Sequence, residues 1–344
     1  MNNYNLASRS NNAIKKKKRR RRLLLGFLIL LFLSAITFFG YILVKTYQVS
    51  SSAFNDIDGR DGKSELRDEP VYISTDPFSV LLLGIEDYSD DYDQGRSDSI
   101  LVATFNPEFQ TMKLLSIPRD TLVDIPGYDQ DKINHSYADG GKELVIETVE
   151  DFLDIPIDYY ATVNFDGFKN IIDIVGGVTV DVPFTFDDIN SKWDRFYFEE
   201  GKQKLNGEEA LVYARMRKKD PRGDFGRNMR QRQIITGLID KLSSPSTLLK
   251  IDDIADEVGT NIQTNMRMKE ALAFRKKYPD FNSSSIEQLE LTGEDYNNSY
   301  GTYYFIPSEE SLNEVKQTLA SHLELGLSSS NETAESTTIE TSGQ

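Results

Sequence analysis

The stretch Tyr213-Ala-Arg-Met-Arg-Lys-Lys-Asp-Pro-Arg-Gly-Asp-Phe-Gly-Arg-Asn-Met-Arg-Gln-Arg232 gathers eight Lys/Arg and two Asp in a chain of formal net charge −16. Guanidinium is planar, permanently charged and weakly hydrated, so it suits forked hydrogen bonding to phosphate oxygens. A concentrated arginine cluster on an acidic protein points to a local anion site rather than a polyanion surface. Arg215 and Arg217 alternate with Ala214 and Met216, so on an extended segment both share one face. Gly223-Asp224-Phe225-Gly226 reads as a flexible bend, after which Arg227 enters a helix. Arg227 and Gln231, four residues apart, project from one side of that helix. Its N-terminus adds backbone N–H groups and positive dipole potential. Arg230 and Arg232 point elsewhere, as solvated residues. The plainer alternative for the whole stretch is a helix face carrying surface ion pairs.

The first half of the chain supplies complementary groups. Gly95-Arg96-Ser97-Asp98 precedes a strand and follows an acidic loop beginning at Glu86 and Asp87. Asp98 could ligate a divalent cation, with Glu86 or Asp87 as second ligand, since magnesium takes one or two protein carboxylates plus substrate phosphates. An Asx-turn opening the strand is the competing explanation. Ile117-Pro118-Arg119-Asp120 places Arg119 at a strand end, where ligands of α/β sheets bind, unless it merely pairs with Asp120 in a turn. His135 reads as a structural hydrogen-bonding residue.

Composition narrows the chemistry. With no cysteine and only two histidines, His135 and His322, thiol nucleophiles, Cys-ligated zinc and multi-histidine metal sites are excluded or disfavoured. Any metal should be a hard cation on carboxylate oxygen, magnesium or manganese. Residues 1–50 carry ten basic and no acidic residues, leaving 29 basic against 55 acidic in the remainder. So acidic a domain argues against direct nucleic-acid binding.

The elements that must position these residues follow from hydrophobic patterning. Residues 1–22 form a basic tail ending in Lys15 to Arg22, and the uncharged run Leu23–Val44 is long enough to span a bilayer as a helix. The charge asymmetry predicts a cytoplasmic N-terminus, with everything after Lys45 outside. An uncleaved anchor fits better than a signal peptide, because no small-x-small cleavage site follows. Residues 45–70 read as a juxtamembrane linker, 71–325 as the folded domain, and 326–344 as a disordered tail. Within the domain, Ser79–Leu83, Ile100–Phe105, Met112–Ile117, Tyr159–Asn164 and Val178–Val182 are expected as strands, the second and third as a hairpin. Gly141–Leu153, Asp166–Val175, a short helix capped by Asn206, and Asn228–Leu242 are expected as helices. In the last of these, Ile234, Ile235, Leu238, Ile239 and Leu242 should face the core. The fold class is α/β, a mixed central sheet covered by helices. Leu248–Leu325 carries no readable motif.

Arg96-Ser-Asp-Ser, Ser116-Ile-Pro-Arg-Asp, Lys132-Ile-Asn-His-Ser-Tyr-Ala, Val175-Gly-Gly-Val, Tyr213-Ala-Arg-Met-Arg and Gly223-Asp-Phe-Gly-Arg-Asn-Met-Arg-Gln-Arg-Gln233 together resemble the LytR–CpsA–Psr family of Gram-positive envelope proteins, over about residues 76–245. The resemblance implies a membrane-anchored, magnesium-dependent phosphotransferase outside the cell. It would move a glycopolymer, of the teichoic acid or capsule type, from undecaprenyl pyrophosphate to peptidoglycan. By the same resemblance Arg96, Arg119, Arg215, Arg217, Arg227 and Gln231 would hold the pyrophosphate and Asp98 the metal. Asp224 would orient the arginines or take a proton, and apolar surfaces would form a cleft for the polyprenyl tail. The family usually has Asp where this chain has Glu86, so the second ligand is open between Glu86 and Asp87. Two other functions share these features: an indirect regulator of envelope gene expression or autolysis, and a hydrolase of polyprenyl pyrophosphate.

Overall fold

The computed structural model describes residues 53–60, 62–86, 96–244, 247, 254 and 261–326. The basic tail, the apolar run 23–44, Asp87 and the tail from 327 onward lie outside these residues. Among the described residues no helix is long and apolar enough to cross a membrane.

In chain order the first elements are β1 (Phe78–Ile85), β2 (Ser97–Asn106), β3 (Thr111–Ile117), β4 (Leu122–Asp124), β5 (Gln130–Lys132) and α1 (His135–Leu153). There follow β6 (Tyr159–Asn164), α2 (Phe165–Ile174), β7 (Val178–Val182), β8 (Phe186–Ile189), β9 (Arg195–Phe198) and β10 (Gly201–Leu205). Next come α3 (Gly207–Arg215), α4 (Asp224–Leu242), β11 (Ile262–Thr264) and α5 (Met268–Lys277). The last elements are β12 (Ile286–Glu290), β13 (Gly293–Asn297), β14 (Tyr303–Pro307) and α6 (Glu309–His322).

A six-stranded mixed sheet of order β11-β6-β1-β2-β3-β12 forms the centre. Its β1, β2 and β3 pair antiparallel, whereas β6 lies parallel to β1 and β12 parallel to β3. Consequently β1, β3, β6 and β12 run the same way, and their carboxyl ends share one edge.

The central strands are continuous apolar runs because both faces are covered. On one face Leu81, Leu83, Ile85, Ile100, Val102 and Leu115 pack against Val145, Val149 and Leu153 of α1 and Leu319 of α6. On the other, Phe78, Val80, Leu101, Ala103 and Leu114 meet Tyr278 and Phe281, with Ile235 and Ile239 of α4 packed against them. A third cluster joins β7, β10, α3 and Ile234 of α4. It seats α3 and α4, which carry the arginine stretch.

The cap expected at Asn206 is present and is a full capping box: its side chain accepts from Glu209 N, and the Glu209 carboxylate accepts from Asn206 N. That ends the β10–α3 loop sharply. Several expectations are corrected. Helix α4 begins at Asp224 rather than Asn228, so residues 224–226 form its first turn, not a bend. Gly223 at φ 57 makes the chain reversal, and Asp224 adds a favourable charge at the helix N-terminus. Leu242, 42% exposed at the helix end, leaves the core. Arg215 closes α3 and Met216 is its C-cap, so Arg215 and Arg217 do not alternate along an extended segment.

Where described, the stretch read as a linker packs onto the domain. Ile57 lies in the core, Arg60 donates to Glu150 at 3.1 Å, and Arg67 pairs with Asp158 at 2.8 Å. The segment without readable motifs supplies both outer strands of the sheet, β11 and β12.

Candidate active site

The shared carboxyl edge of β1, β3 and β6 gathers most of the residues singled out by type. Asp98 opens β2 at this edge, because β2 runs against its neighbours. Arg119 follows β3, and Glu86 follows β1. From the satellite layer, α3 delivers Arg215, the loop after it delivers Arg217, and the first two turns of α4 deliver Asp224, Arg227 and Gln231.

An alternating network of charges ties them together. Arg119 Nη1 donates to Asp98 Oδ1 at 2.5 Å, and its Nε lies 3.7 Å from Asp120 Oδ2. Arg217 bridges two carboxylates, 3.1 Å from Asp224 Oδ2 and 3.8 Å from Asp120 Oδ2. Arg227 lies 3.5 Å from Asp224 Oδ1 and donates to the Asp98 carbonyl at 2.7 Å. Ser99 Oγ donates to Gln231 Oε1 at 3.0 Å, which docks α4 on β2. Lys132 Nζ donates to Asp120 Oδ1 at 2.6 Å.

Aromatic rings back the arginines. The Arg217 guanidinium lies 5.4 Å from the centre of the Tyr303 ring, and that of Arg215 lies 4.6 Å from the Phe165 ring. Both are within the range of favourable cation–π attraction.

Burial sets the electrostatics. It pushes the Asp224 carboxyl above the usual carboxylate range, and the neighbouring Asp120 charge adds to this, against the pull of Arg227 and Arg217. Burial also acts on Asp120, but the Lys132 ammonium and Arg119 guanidinium outweigh it and hold that carboxyl below the usual range. Two adjacent carboxyls are thus driven apart, the pattern that separates a proton carrier from a permanent anion. Burial and the Arg119 charge make Arg227 a weaker base than usual. Arg119 Nε, Asp120 Oδ2, both Asp224 oxygens and Arg227 Nε are buried without a well-formed hydrogen bond. Orphaned polar atoms are scarce in folded proteins and call for a reason. Five of them fall in this one ion-paired network, whose charges are held together in geometry short of good hydrogen bonds.

The donor chemistry fits a hard divalent cation. Arg119 bonds only Oδ1 of Asp98, whose carboxylate is partly exposed. No three Asp, Glu or His side chains converge as a cage among the described residues, but magnesium beside phosphate does not require one. Glu86 is exposed, and its Oε1 lies 4.0 Å from Arg215 Nη2. Asp87 lies outside the described residues. Arg96 is exposed at the lip of β2 and joins no ion pair of the network among the described residues.

Two expectations fail here. Arg230 and Arg232, read as solvated, are buried; Arg230 pairs with Asp220 and Arg232 with Glu290. Four residues of the site went unassigned in the sequence: Asp120, Lys132, Phe165 and Tyr303. The first two sit inside motifs that were noticed, so their charges offered a signal. Tyr303 comes from the segment without motifs and offered none. His135 does lie in a structural bond, its Nδ1 2.7 Å from Asp131 Oδ2.

A family model described as the LytR_cpsA_psr family matches residues 40–321. The polyisoprenyl-teichoic acid–peptidoglycan teichoic acid transferase TagV of Bacillus subtilis (strain 168) is 50% identical over 291 residues, which cover 83% of this chain and 74% of TagV. The crystal structure of B. subtilis TagV superposes with a TM-score of 0.66 at 51% identity, covering 73% of this chain and 98% of that one. A structure of YwtF (TagT) with bound octaprenyl pyrophosphate lipid gives a TM-score of 0.62 at 33% identity, over 79% of this chain and 100% of that one.

Proposed function

The chain belongs to the LytR–CpsA–Psr family, and from that premise we propose that it is a membrane-anchored phosphotransferase. It moves a glycopolymer of the teichoic acid or capsule type from undecaprenyl pyrophosphate to peptidoglycan. The observation that carries this reading is the convergence of Arg119, Arg217 and Arg227 with Asp98, Asp120 and Asp224 at one sheet edge, with Arg119 Nε, Asp120 Oδ2, both Asp224 oxygens and Arg227 Nε held among these charges but short of well-formed hydrogen bonds. The lipid pyrophosphate seen in YwtF (TagT) is a ligand of matching charge.

In this reading a peptidoglycan sugar hydroxyl attacks the phosphorus that bears the glycan. The new phosphate ester bond forms as the bond to polyprenyl phosphate breaks, and polyprenyl monophosphate leaves. Arg119, Arg215, Arg217 and Arg227 hold the pyrophosphate and neutralise charge gathering on the leaving group, while Gln231 and Arg96 add polar contacts. Fixed charges aimed at developing negative charge are the main catalytic resource in phosphoryl transfer. Asp224, raised by burial, takes the hydroxyl proton; Asp120 keeps its charge and steadies Arg119 and Arg217. Magnesium or manganese, held by Asp98 with Glu86 or Asp87, would supply further positive charge. The run Leu23–Val44 anchors the chain with its N-terminus cytoplasmic and the domain outside, so no nucleic acid is within reach. The charge asymmetry of its flanks supports that orientation.

The test supplies the full chain in detergent with a polyprenyl-pyrophosphate-linked glycan and magnesium, with and without peptidoglycan oligomers. Acceptor-bound glycan phosphate, lost on chelation and in Asp98→Ala, is the expected result. Glycan phosphate released equally without acceptor would assign a hydrolase instead. No turnover of any lipid-linked donor would leave the regulatory reading.

A further inference from the structure

Arg230 is 0% exposed and does not face the charge network, yet every side of its guanidinium is engaged. Nε donates to the Tyr213 carbonyl at 3.0 Å, Nη2 to the Met216 carbonyl and Nη1 to the Asp220 carboxylate. Tyr213 lies in the last turn of α3 and Met216 is its C-cap. The final carbonyls of a helix have no partners within it, and a cation there also matches the helix dipole. Arg230 is therefore a C-cap supplied by a neighbouring helix.

Its placement singles out the arginines. Arg215 lies between the two carbonyls that Arg230 holds, and Arg217 directly follows the second. Asp220, further along the same loop, also accepts from Arg222 Nε at 3.1 Å. It presses so closely on α4 that a Cβ added at Gly226 would fall 1.8 Å from its Oδ2. On α4 itself, Arg230 stands three residues beyond Arg227, so both project from the same stretch of helix.

We propose that Arg230, with Asp220, is a positioning residue that fixes Arg215 and Arg217 against Arg227 so that the three converge on one pyrophosphate. This rests on reading those arginines as pyrophosphate ligands. The pair does not touch the substrate. Stability alone does not account for it, since buried ion pairs are often replaceable by apolar side chains without loss. What such side chains cannot do is grip two carbonyls and a carboxylate in one rigid plane, and neither can lysine.

The experiment titrates inorganic pyrophosphate with magnesium into the full chain in detergent, with thermal melts alongside. Arg230→Lys is expected to bind at least about tenfold more weakly while melting no lower than Leu319→Ala, a core control in α6 expected to bind as wild type. In an Arg217→Ala background the same Arg230→Lys change should cost much less, because the group it aims is gone. Two results would overturn the proposal: Arg230→Lys binding as tightly as Leu319→Ala, or an undiminished tenfold loss in the Arg217→Ala background. Wild-type protein that binds no pyrophosphate would overturn the underlying reading of the site, and the proposal with it.

Discussion

At the scale of single residues, Arg119 and Asp224 offer the sharpest tests. Arg119 is the residue through which Asp98 and Asp120 meet. Replacing it with alanine removes a charge clamp while leaving the apolar layers intact, so the fold should survive. Loss of one such donor lowers kcat by about 10²–10³-fold. Transfer within a few-fold of wild type would remove Arg119 from the mechanism. Asp224→Asn tests its assignment as proton acceptor against a role confined to orienting the arginines, because it keeps the shape and deletes the titrating group. As proton acceptor it should lose ~10²–10⁴ in kcat at nearly constant KM. If it only orients Arg217 and Arg227, KM for the lipid-linked donor should rise while kcat holds. Initial rates against donor concentration decide between them. The sequence disclosed these residue types because a concentrated arginine cluster stands out in a chain of net charge −16. It could not disclose which carboxyl is raised, since that depends on Asp224 and Asp120 meeting across more than a hundred residues of chain.

Elements explain why some residues were legible and others were not. Strands β1, β2 and β3 announced themselves as apolar runs, the last two as a hairpin, and α2 as a helix read over Asp166–Val175. Helix α4 was read four residues short. Gly223-Asp-Phe-Gly226 carries two glycines, and local propensity favours a bend there, but tertiary packing overrides it. Gly226 is inside the helix because only a residue without Cβ can pass Asp220 so closely. Gly226→Ala should therefore cost well beyond a helix-propensity gain of about 1 kcal/mol, since the carboxylate or the helix must move. A melting temperature at or above wild type would contradict the close approach. Asn206→Ala probes the other supporting helix: losing the side-chain half of its capping box, the bond accepted from Glu209 N, should cost ~1 kcal/mol, measured by denaturant unfolding. Arg230 and Arg232 misled because an arginine on a polar helix reads as solvated when its partners are distant in sequence. Asp220 precedes Arg230 by ten residues, and Glu290 follows Arg232 by 58.

At the scale of the whole molecule, the sheet separates chemistry from structure. The charge network occupies the edge where β1, β3 and β6 end, while the β2–β3 turn at the opposite edge is fastened by α6. There His322, 8% exposed, lies with Nδ1 2.8 Å from Thr104 Oγ1 and Nε2 3.0 Å from Thr111 Oγ1. Burial lowers its pKa from 6.5 to about 4, with the Lys113 charge assisting and Glu287 opposing. The sign follows from proton counting: between these two values the unfolded chain binds a proton that the folded one refuses, so stability rises with pH. The neutral ring's contribution is present above pH 6.5 and is lost as pH falls toward 4, a difference on the order of 3 kcal/mol. Thermal melts at intervals from pH 7 to 4.5 should show wild type losing stability more steeply than His322→Gln, which keeps a hydrogen-bonding side chain but has no titrating group. Parallel curves would mean that His322 is protonated in the fold at little cost. Because the histidine sits away from the arginines, pyrophosphate binding at pH 7 should be the same in both proteins, and the acid sensitivity belongs to the fold rather than to the site.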